Sequence, residues 1–268
     1  MAATAAVASA WPSQLVRAFT DNLASVSHTA KYLQLATIDP LLQVPRVRTV
    51  VFRGVLVGPT PGPASPSTER DAGPYAGARL HLADSLPNAS SAELTGSGPV
   101  RLVFVTDARS NKVAHVLDRG ARGGTAPAEA CWYMPTTREQ FRVSGAMAVI
   151  LASPRGAAQR AQTLRAELWR SLSPAARAAY LAPNPGSYFP PEGPAPAATP
   201  ATASLEAVSD HFAVLVLDPD EVGYLDLRQP HPHARTVWKR AAAAGAEGGD
   251  ATDAAAGDGE WVVTTVYA

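Results

Sequence analysis

The segment FVTDARSNK, residues 104–112, joins a buried strand to a helix. The apolar run from Val100 to Val105 predicts the strand, and the pattern from Ser110 to Leu117 predicts the helix, with Lys112 in its first turn. A helix N-terminus attracts anions, because its N–H groups are free and the positive end of its dipole points outward. Lysine is unfavourable there unless an anion lies beside it. The segment therefore predicts an anion site, with phosphate as the ligand.

A second basic strand, PRVRTVVFRG at residues 45–54, strengthens that prediction. Arg46 and Arg48 share one face of this strand, and Arg53 faces the other unless a bulge intervenes. The planar guanidinium group is suited to bidentate binding of phosphate. The alternative is a set of solvated strand charges beside an ordinary capping turn, with no ligand. Taken together, the two basic elements favour a phosphate site.

The bulk composition limits the partners of the chain. Its 268 residues include 23 Lys and Arg and 23 Asp and Glu, so the formal net charge is zero. This balance argues against general nucleic-acid binding but leaves room for a small phosphorylated ligand. The single cysteine, Cys131, forms no intramolecular disulfide and belongs to no Cys/His metal motif, as is typical of an intracellular protein.

The targeting signals in the sequence are weak. No apolar run approaches the roughly 20 residues that a membrane span needs. The start, MAATAAVASAW, has no basic residue before Arg17 and makes a poor leader. We therefore expect no membrane association and a location in the cytoplasm or the plastid.

The pattern along the chain predicts a mainly β fold with flanking helices in one domain, residues 1–268. The linking segments predict mostly antiparallel connections between about seven or eight strands, hence a closed or half-closed barrel. Low-complexity insertions are expected near 58–76, 182–203 and 241–259, with a shorter one at 119–127. Neither GxGxxG nor a P-loop occurs, which argues against the common nucleotide-binding folds. The predicted helices are 12–27, 110–118, 157–171 and 174–181. The segments from which the seven or eight strands are expected are 32–38, 47–57, 102–106, 128–134, 140–151, 211–217, 222–228, 235–240 and 261–267.

Three further polar positions are candidates for ligand binding. Gln140 lies on a predicted strand, and its amide can both donate to and accept from the edge of an imide-like ring. His231 and His233 could bind a metal at i, i+2 spacing, but no third ligand is evident. Unremarkable surface polarity is the alternative for each position. The sequence has no nucleophile elbow and no convincing carboxylate pair, so any difficult chemistry is expected to belong to a cofactor.

These motifs, in this order, resemble the pyridoxamine 5′-phosphate oxidase-like flavoproteins, including a divergent branch with relatives in plants and algae. The resemblance covers most of the chain outside the low-complexity insertions. It rests on WPSQLVRAFTDNL, KYLQLATI, PRVRTVVFRG, FVTDARSNK, REQFRVSG, YLDLR followed by PHPHAR, and WVVTTVYA. It implies an FMN-binding split β-barrel, with FMN at the two-fold interface of a homodimer.

The resemblance also implies the residues of the site. Arg48 and Arg53 stand where the family has an arginine and a lysine on its phosphate-binding strand, and Asn111 stands where arginine is common. His233 matches a position near the substrate. Arg170 is a substitute for the family's substrate-phosphate arginine, with Arg177 as a second possibility. The implied FMN-binding residues are Arg48, Thr49, Val50, Val51, Arg53, Thr106, Ser110, Asn111, Lys112, Gln140 and Arg235.

The activity that the resemblance implies is oxidation of pyridoxamine or pyridoxine 5′-phosphate. Members of the family transfer a hydride from the C4′ carbon of the substrate to the flavin, and oxygen then reoxidises the flavin. The family's substrate-phosphate motif is not preserved here, because Ser173 falls where its arginine is expected. An FMN-binding protein or flavin reductase without vitamin B6 activity is therefore the alternative. A split barrel that has lost its flavin is a third possibility.

Overall fold

The elements follow one another as the sequence pattern predicts over most of the chain. The computed structural model describes residues 11–58, 75–95, 98–121, 126–153, 159–188, 205–241 and 261–268. The helices are α1 (Trp11–Val26), α2 (Ser91–Thr95), α3 (Asn111–Ala121), α4 (Gln159–Ser171) and α5 (Pro174–Ala178). The strands are β1 (Tyr32–Ile38), β2 (Pro45–Val57), β3 (Arg79–Leu82), β4 (Val100–Asp107), β5 (Pro127–Met134), β6 (Glu139–Ile150), β7 (Phe212–Asp226), β8 (Ala234–Arg240) and β9 (Trp261–Tyr267).

Six antiparallel strands close into a barrel in the order β2, β1, β5, β6, β7 and β4, with β4 pairing back to β2. Strand β3 adds to β2, and β8 and β9 extend the sheet from β7. The described residues thus hold one nine-stranded sheet, slightly more than the seven or eight strands expected. Closure removes most free strand edges, which would otherwise template aggregation. The predicted split β-barrel is confirmed.

Strand alternation divides the apolar residues into two cores. Phe52 and Trp132 point into the barrel, where the ring of Phe19 from α1 packs against both. Outside the barrel, α4 lays Trp169 against Phe212 of β7. Helix α1 therefore closes the barrel, and α4 covers part of its outer wall.

Two bulges bend the barrel wall. The pairing of β2 with β4 shifts register between Phe52 and Gly54, so Arg53 is the bulged residue. The sequence pattern had left open whether a bulge occurs at this position. The pairing of β6 with β7 shifts between Ser144 and Gly145. A Cβ atom on Gly145 would lie 2.0 Å from the carbonyl oxygen of Asp218, so glycine is required there.

Two boundary predictions were wrong. Residues 211–217 and 222–228 form one strand, β7, because the DPDE sequence between them follows a bulge of the sheet instead of a turn. The expected insertion at 119–127 is shorter, since α3 continues to Ala121 and β5 begins at Pro127. Most of the insertions expected at 58–76, 182–203 and 241–259 lies outside the described residues, as do residues 1–10.

Buried polar contacts attach α1 to the end of the barrel. Glu139 of β6 is fully buried, accepts a hydrogen bond from the Tyr224 hydroxyl at 2.6 Å, and pairs with Arg17 of α1. One turn later, Asn22 donates to the Thr137 hydroxyl at 3.0 Å. These contacts fix the angle at which α1 crosses the barrel mouth.

We expect Glu139→Gln to lower the free energy of unfolding by about 1 to 3 kcal/mol at neutral pH. Burial alone would raise the pKa of Glu139, but hydrogen bonds from Tyr224, Thr137 and Arg17 outweigh burial and hold that pKa below its ordinary value of 4.5. Because the pKa of Glu139 is lower in the folded state than in the unfolded state, the stability that Glu139 contributes is complete above the unfolded-state pKa. It is lost as the pH falls through the folded-state pKa.

Denaturant unfolding of wild type and variant at neutral pH and at about pH 3 measures this effect. The difference between the two proteins should shrink on acidification. Glu206→Gln is the control, because Glu206 is exposed and its one described ion pair, with Arg177, spans 3.9 Å. A Glu139→Gln difference that stays constant with pH would contradict the assignment.

Candidate functional site

The turn between β4 and α3 brings three predicted residues together. The Lys112 ammonium group donates to the Thr106 hydroxyl at 2.9 Å. The Thr106 and Ser110 hydroxyl oxygens lie 3.3 Å apart, and the Ser110 hydroxyl donates to the carbonyl oxygen of Asp107 at 2.7 Å. The polar turn thus holds the ammonium group beside the N-terminus of α3, where the helix dipole favours an anion.

Arg48 on β2 lies near the same point. Its guanidinium group donates to the Leu35 carbonyl oxygen at 3.1 Å and to the Thr37 hydroxyl at 2.8 Å. Burial, and then the positive charge of Arg48, lowers the pKa of Lys112. Burial also lowers the pKa of Arg48, with the nearby charge of Arg46 adding to the effect. Arg48 and Lys112 are thus two half-buried cations, and their like charges repel each other in the free protein. An anionic ligand would stabilise both charged forms.

The neighbouring carboxylate of Asp107 offsets the charge of Lys112 only in part, because its main partner is Arg109. Asp107 accepts three hydrogen bonds from Arg109, one from its backbone and two from its guanidinium group. Arg109 also donates to the Ala182 carbonyl oxygen at 3.0 Å. Arg109 is therefore engaged locally and does not replace the family's arginine at the exposed position of Asn111.

Strand β2 offers an open backbone edge beside the turn. Its pairing with β4 runs from Phe52 to Val57, so Thr49, Val50 and Val51 have no β4 partner among the described residues. On the other side these three residues pair with β1. The side chain of Val50 is buried in the barrel, so only its backbone is available to a ligand. Such an edge gives hydrogen-bonding groups to a cofactor that lies along it.

Arg53, at the bulge of β2, is a further candidate for contact with a ligand. Its Nε atom is buried and has no hydrogen-bond partner in the part of the chain that the structure describes. Burial lowers the pKa of Arg53, and the opposing electrostatic effects of Tyr180, Asp84 and Tyr32 do not outweigh it. A buried, unpaired N–H group is costly, so a ligand that accepts a hydrogen bond fits here.

Gln140 and Arg235 occupy one row on the outer face of the sheet. Both pair with Leu225 of β7, Gln140 from β6 and Arg235 from β8. Their backbones are therefore about 10 Å apart, and their side chains share a face. Arg48 lies on another strand and shares the inner face with Val50 and Phe52, at the end of the barrel. One copy of the chain therefore does not bring Gln140 and Arg235 together with the phosphate-type site, which is formed by Arg48, Ser110 and Lys112.

His233 and Arg170 stand apart from these groups. His233 precedes β8, its ring centroid is 3.9 Å from that of His231, and its Nδ1 atom is buried without a partner among the described residues. Arg170 is exposed at the end of α4. Ser173 caps α5 through a hydrogen bond from the Ala176 backbone at 3.2 Å.

The second possible substrate-phosphate residue, Arg177, has a structural role. Its guanidinium group donates to the carbonyl oxygens of Trp169, Arg170 and Leu205 at 3.0, 2.9 and 3.2 Å. It also lies over the Trp169 ring, 5.9 Å from the centroid. These bonds close the C-terminal end of α4 and leave Arg177 poorly placed to bind a substrate.

Sequence reasoning missed a network behind Arg48. The Thr37 oxygen accepts from Arg48 and lies 3.0 Å from Nδ1 of His115 on α3, while Nε2 of His115 is 3.9 Å from Asp39. Burial lowers the pKa of His115, so its ring is neutral at pH 7. A threonine on one strand and a histidine on a helix 78 residues later give no local signal of this contact.

Among the described residues, no cluster of three or more His, Cys, Asp or Glu side chains is arranged to hold a metal ion. None of the described helices is long and apolar enough to cross a membrane. The location in the cytoplasm or plastid stays a prediction.

The six-stranded barrel and the cationic turn at its mouth define the class of FMN-binding split-barrel proteins. The sequence matches the family described as "Pyridoxamine 5′-phosphate oxidase, FMN-binding domain" over residues 8–151. Because this match spans more than half of the chain, the chain belongs to that family. The predicted family and its cofactor, FMN, are confirmed. The matched region contains the phosphate-type site and Gln140 but not Arg170, His233 or Arg235.

Similar proteins agree with this family. A pyridoxine/pyridoxamine 5′-phosphate oxidase 2 of Arabidopsis thaliana is 30% identical over 141 residues, which are 48% of this chain and 60% of that protein. The chain thus spans less than two thirds of that relative. A pyridoxamine 5′-phosphate oxidase-related, FMN-binding protein of Nostoc punctiforme superposes with a TM-score of 0.61 at 25% identity, covering 98% of this chain and 99% of that one. PhzG of Burkholderia lata shares the fold, with a TM-score of 0.56 at 16% identity over 98% and 94% of the two chains.

Proposed function

We propose that this protein is an FMN-dependent oxidase of pyridoxamine or pyridoxine 5′-phosphate. The observation that carries the FMN part is the pairing of Arg48 and Lys112 beside the N-terminus of α3, next to the open edge of β2. When bound, FMN supplies the hydride acceptor that the side chains of this protein lack. The Arabidopsis relative, named as an oxidase of these compounds, supports the substrate class.

Each part of the proposed site has a distinct task. Arg48, Ser110 and Lys112 bind the FMN phosphate, with Asn111 at the start of the same helix. Arg53 and Thr106 donate to the more central part of the cofactor, and the free backbone of residues 49–51 contacts it along the β2 edge. Gln140 contacts the ring edge, with Arg235 nearby. Holding the ring rigidly against the substrate is the main contribution of the protein.

We also propose that the working form is a homodimer. Gln140 and Arg235 share the outer sheet face, away from Arg48 and Lys112 of the same chain. A second copy placed against this face would bring both sets to one cofactor. Tyr32, Tyr133 and Val266 leave apolar side chains exposed on the sheet, which supports the proposal that a partner covers this surface.

One observation favours a second function, FMN binding or flavin reduction without vitamin B6 activity. Ser173 caps α5, and Arg177 is bound to three carbonyl oxygens. Only Arg170 and His233 remain as candidate substrate contacts, and Arg170 is exposed. The residues that would bind a substrate phosphate are therefore less well supported than those for the FMN phosphate.

A visible spectrum followed by an anaerobic substrate addition separates these functions. Protein reconstituted with FMN should show bound-flavin absorbance, and pyridoxamine 5′-phosphate should bleach it if the oxidase proposal is right. Readmitted oxygen should restore the colour. Bound flavin that the substrate does not bleach, but NADH or NADPH does, would support a reductase. Failure to bind FMN would contradict both.

A further inference from the structure

A cavity of about 530 Å³ lies at the far end of α3 from the phosphate-type site. Its walls come from the last two turns of α3, from β6 and from β7, and they are mostly apolar. Small residues create the space, among them Gly120, Ala121, Ala126, Ala146 and Ala148. The size and the apolar lining are typical of a site for a small molecule.

One charged side chain lines this cavity without full hydrogen bonding. Arg101 of β4 is 1% exposed. Its Nε atom donates to Asp218 at 2.7 Å, whereas its two terminal nitrogens, Nη1 and Nη2, are buried and have no partner in the described part of the chain. These two nitrogens form the end of the planar guanidinium fork, which can bind a carboxylate with two parallel hydrogen bonds.

Arg101 shares its carboxylate partner with a second arginine. Asp218 also accepts from Arg240 at 2.6 Å, so one carboxylate is shared by two guanidinium groups. Asp220 lies near Arg240 and is exposed at the surface, where water screens its charge. Tyr75 lies beside Arg101: the Cζ atom of Arg101 is 5.9 Å from the centroid of the Tyr75 ring. Burial raises the pKa of Tyr75 to about 12, so it adds no negative charge at neutral pH.

We propose that this cavity binds a small apolar monocarboxylate. The carboxylate would pair with the terminal nitrogens of Arg101, and the hydrocarbon part would fill the space against α3 and β6. The carboxylate would supply the acceptors that the terminal nitrogens of Arg101 lack among the described residues. The site is separate from the FMN site, because it uses neither Arg48 nor Lys112.

The register of the sheet identifies a variant that fills the cavity. Ala146 pairs with Asp218, and Arg101 reaches Asp218 from the other side, so all three side chains share one face. Ala146→Leu therefore places extra carbon atoms beside the guanidinium group and leaves its bond to Asp218 intact. Ala146→Ser is the matched control, because it changes the volume little.

Calorimetric titration of the full-length, FMN-loaded protein with hexanoate tests the proposal. Hexanoate should bind, and the neutral amide hexanamide should bind at least about tenfold more weakly because it lacks the charge. Arg101→Met and Ala146→Leu should each weaken hexanoate binding by a similar factor or abolish it, whereas Ala146→Ser should leave it unchanged.

Several results would overturn the proposal. One is the absence of hexanoate binding at millimolar concentration. Another is binding that survives in a folded Ala146→Leu protein, a variant that remains informative if Arg101→Met fails to fold. Equal affinity for acetate would show that the apolar walls contribute nothing. Because binding of hexanoate and binding of FMN are measured separately, failure here is distinguishable from failure of the proposed function.

Discussion

Replacing Arg48 with methionine is expected to weaken FMN binding about 10- to 100-fold. The substitution removes a cation that lies near Lys112 at the N-terminus of α3. Hydrogen bonds to charged groups contribute about 1.5 to 3 kcal/mol, which corresponds to that range of affinity. Flavin fluorescence quenching on titration of the apoprotein measures the dissociation constant. Arg48→Lys should recover part of the affinity, because it restores the charge without the planar fork.

Arg46→Met is the matched control for this experiment. Arg46 lies two residues earlier on the same face of β2, is half exposed, and pairs with Asp39 at 3.5 Å. Its loss should change FMN affinity much less than the loss of Arg48. Equal effects of the two substitutions would indicate a general electrostatic attraction and would contradict a specific phosphate contact.

Replacing Trp132 with alanine is expected to lower the free energy of unfolding by about 3 to 5 kcal/mol. Trp132 is 1% exposed inside the barrel, where its ring centroid is 4.7 Å from that of Phe52 and 5.5 Å from that of Phe19. Its indole N–H also donates to the Ala30 carbonyl oxygen at 2.9 Å. The variant would leave a large cavity between the barrel and α1 and one buried carbonyl group without its donor.

Tyr133→Ala provides the comparison at the next position of β5. Tyr133 points to the opposite face and is 46% exposed, so its removal should cost far less stability. Urea unfolding of both variants and of wild type measures the difference. Similar losses for the two variants would contradict the inward orientation of Trp132.

Local patterns in the sequence were sufficient to predict most of the fold. The alternation of apolar residues in β1, β5 and β6 and the helical period of α1 are short-range signals, and all four elements lie within a few residues of their predicted bounds. The DPDE segment of β7 was wrongly predicted to be a turn between two strands, because Asp and Pro are common in turns. These residues are also tolerated at a bulge, and this bulge arises only from the pairing with β6. Strand order likewise depends on pairings between residues far apart in the chain.

The sequence by itself determined the barrel class, the polar turn at residues 106–112 and the two basic elements that point to phosphate. These features depend on residue type and on spacing of a few residues, which local stereochemistry converts directly into structure. Only the tertiary structure brought Arg48 near Lys112 and assigned Arg109 to Asp107 and Arg177 to the end of α4. It also left the terminal nitrogens of Arg101, a residue that lines a cavity, without a partner among the described residues. The physical reason is that the partners available to a charged side chain are set by long-range packing, and the sequence near that side chain does not encode them.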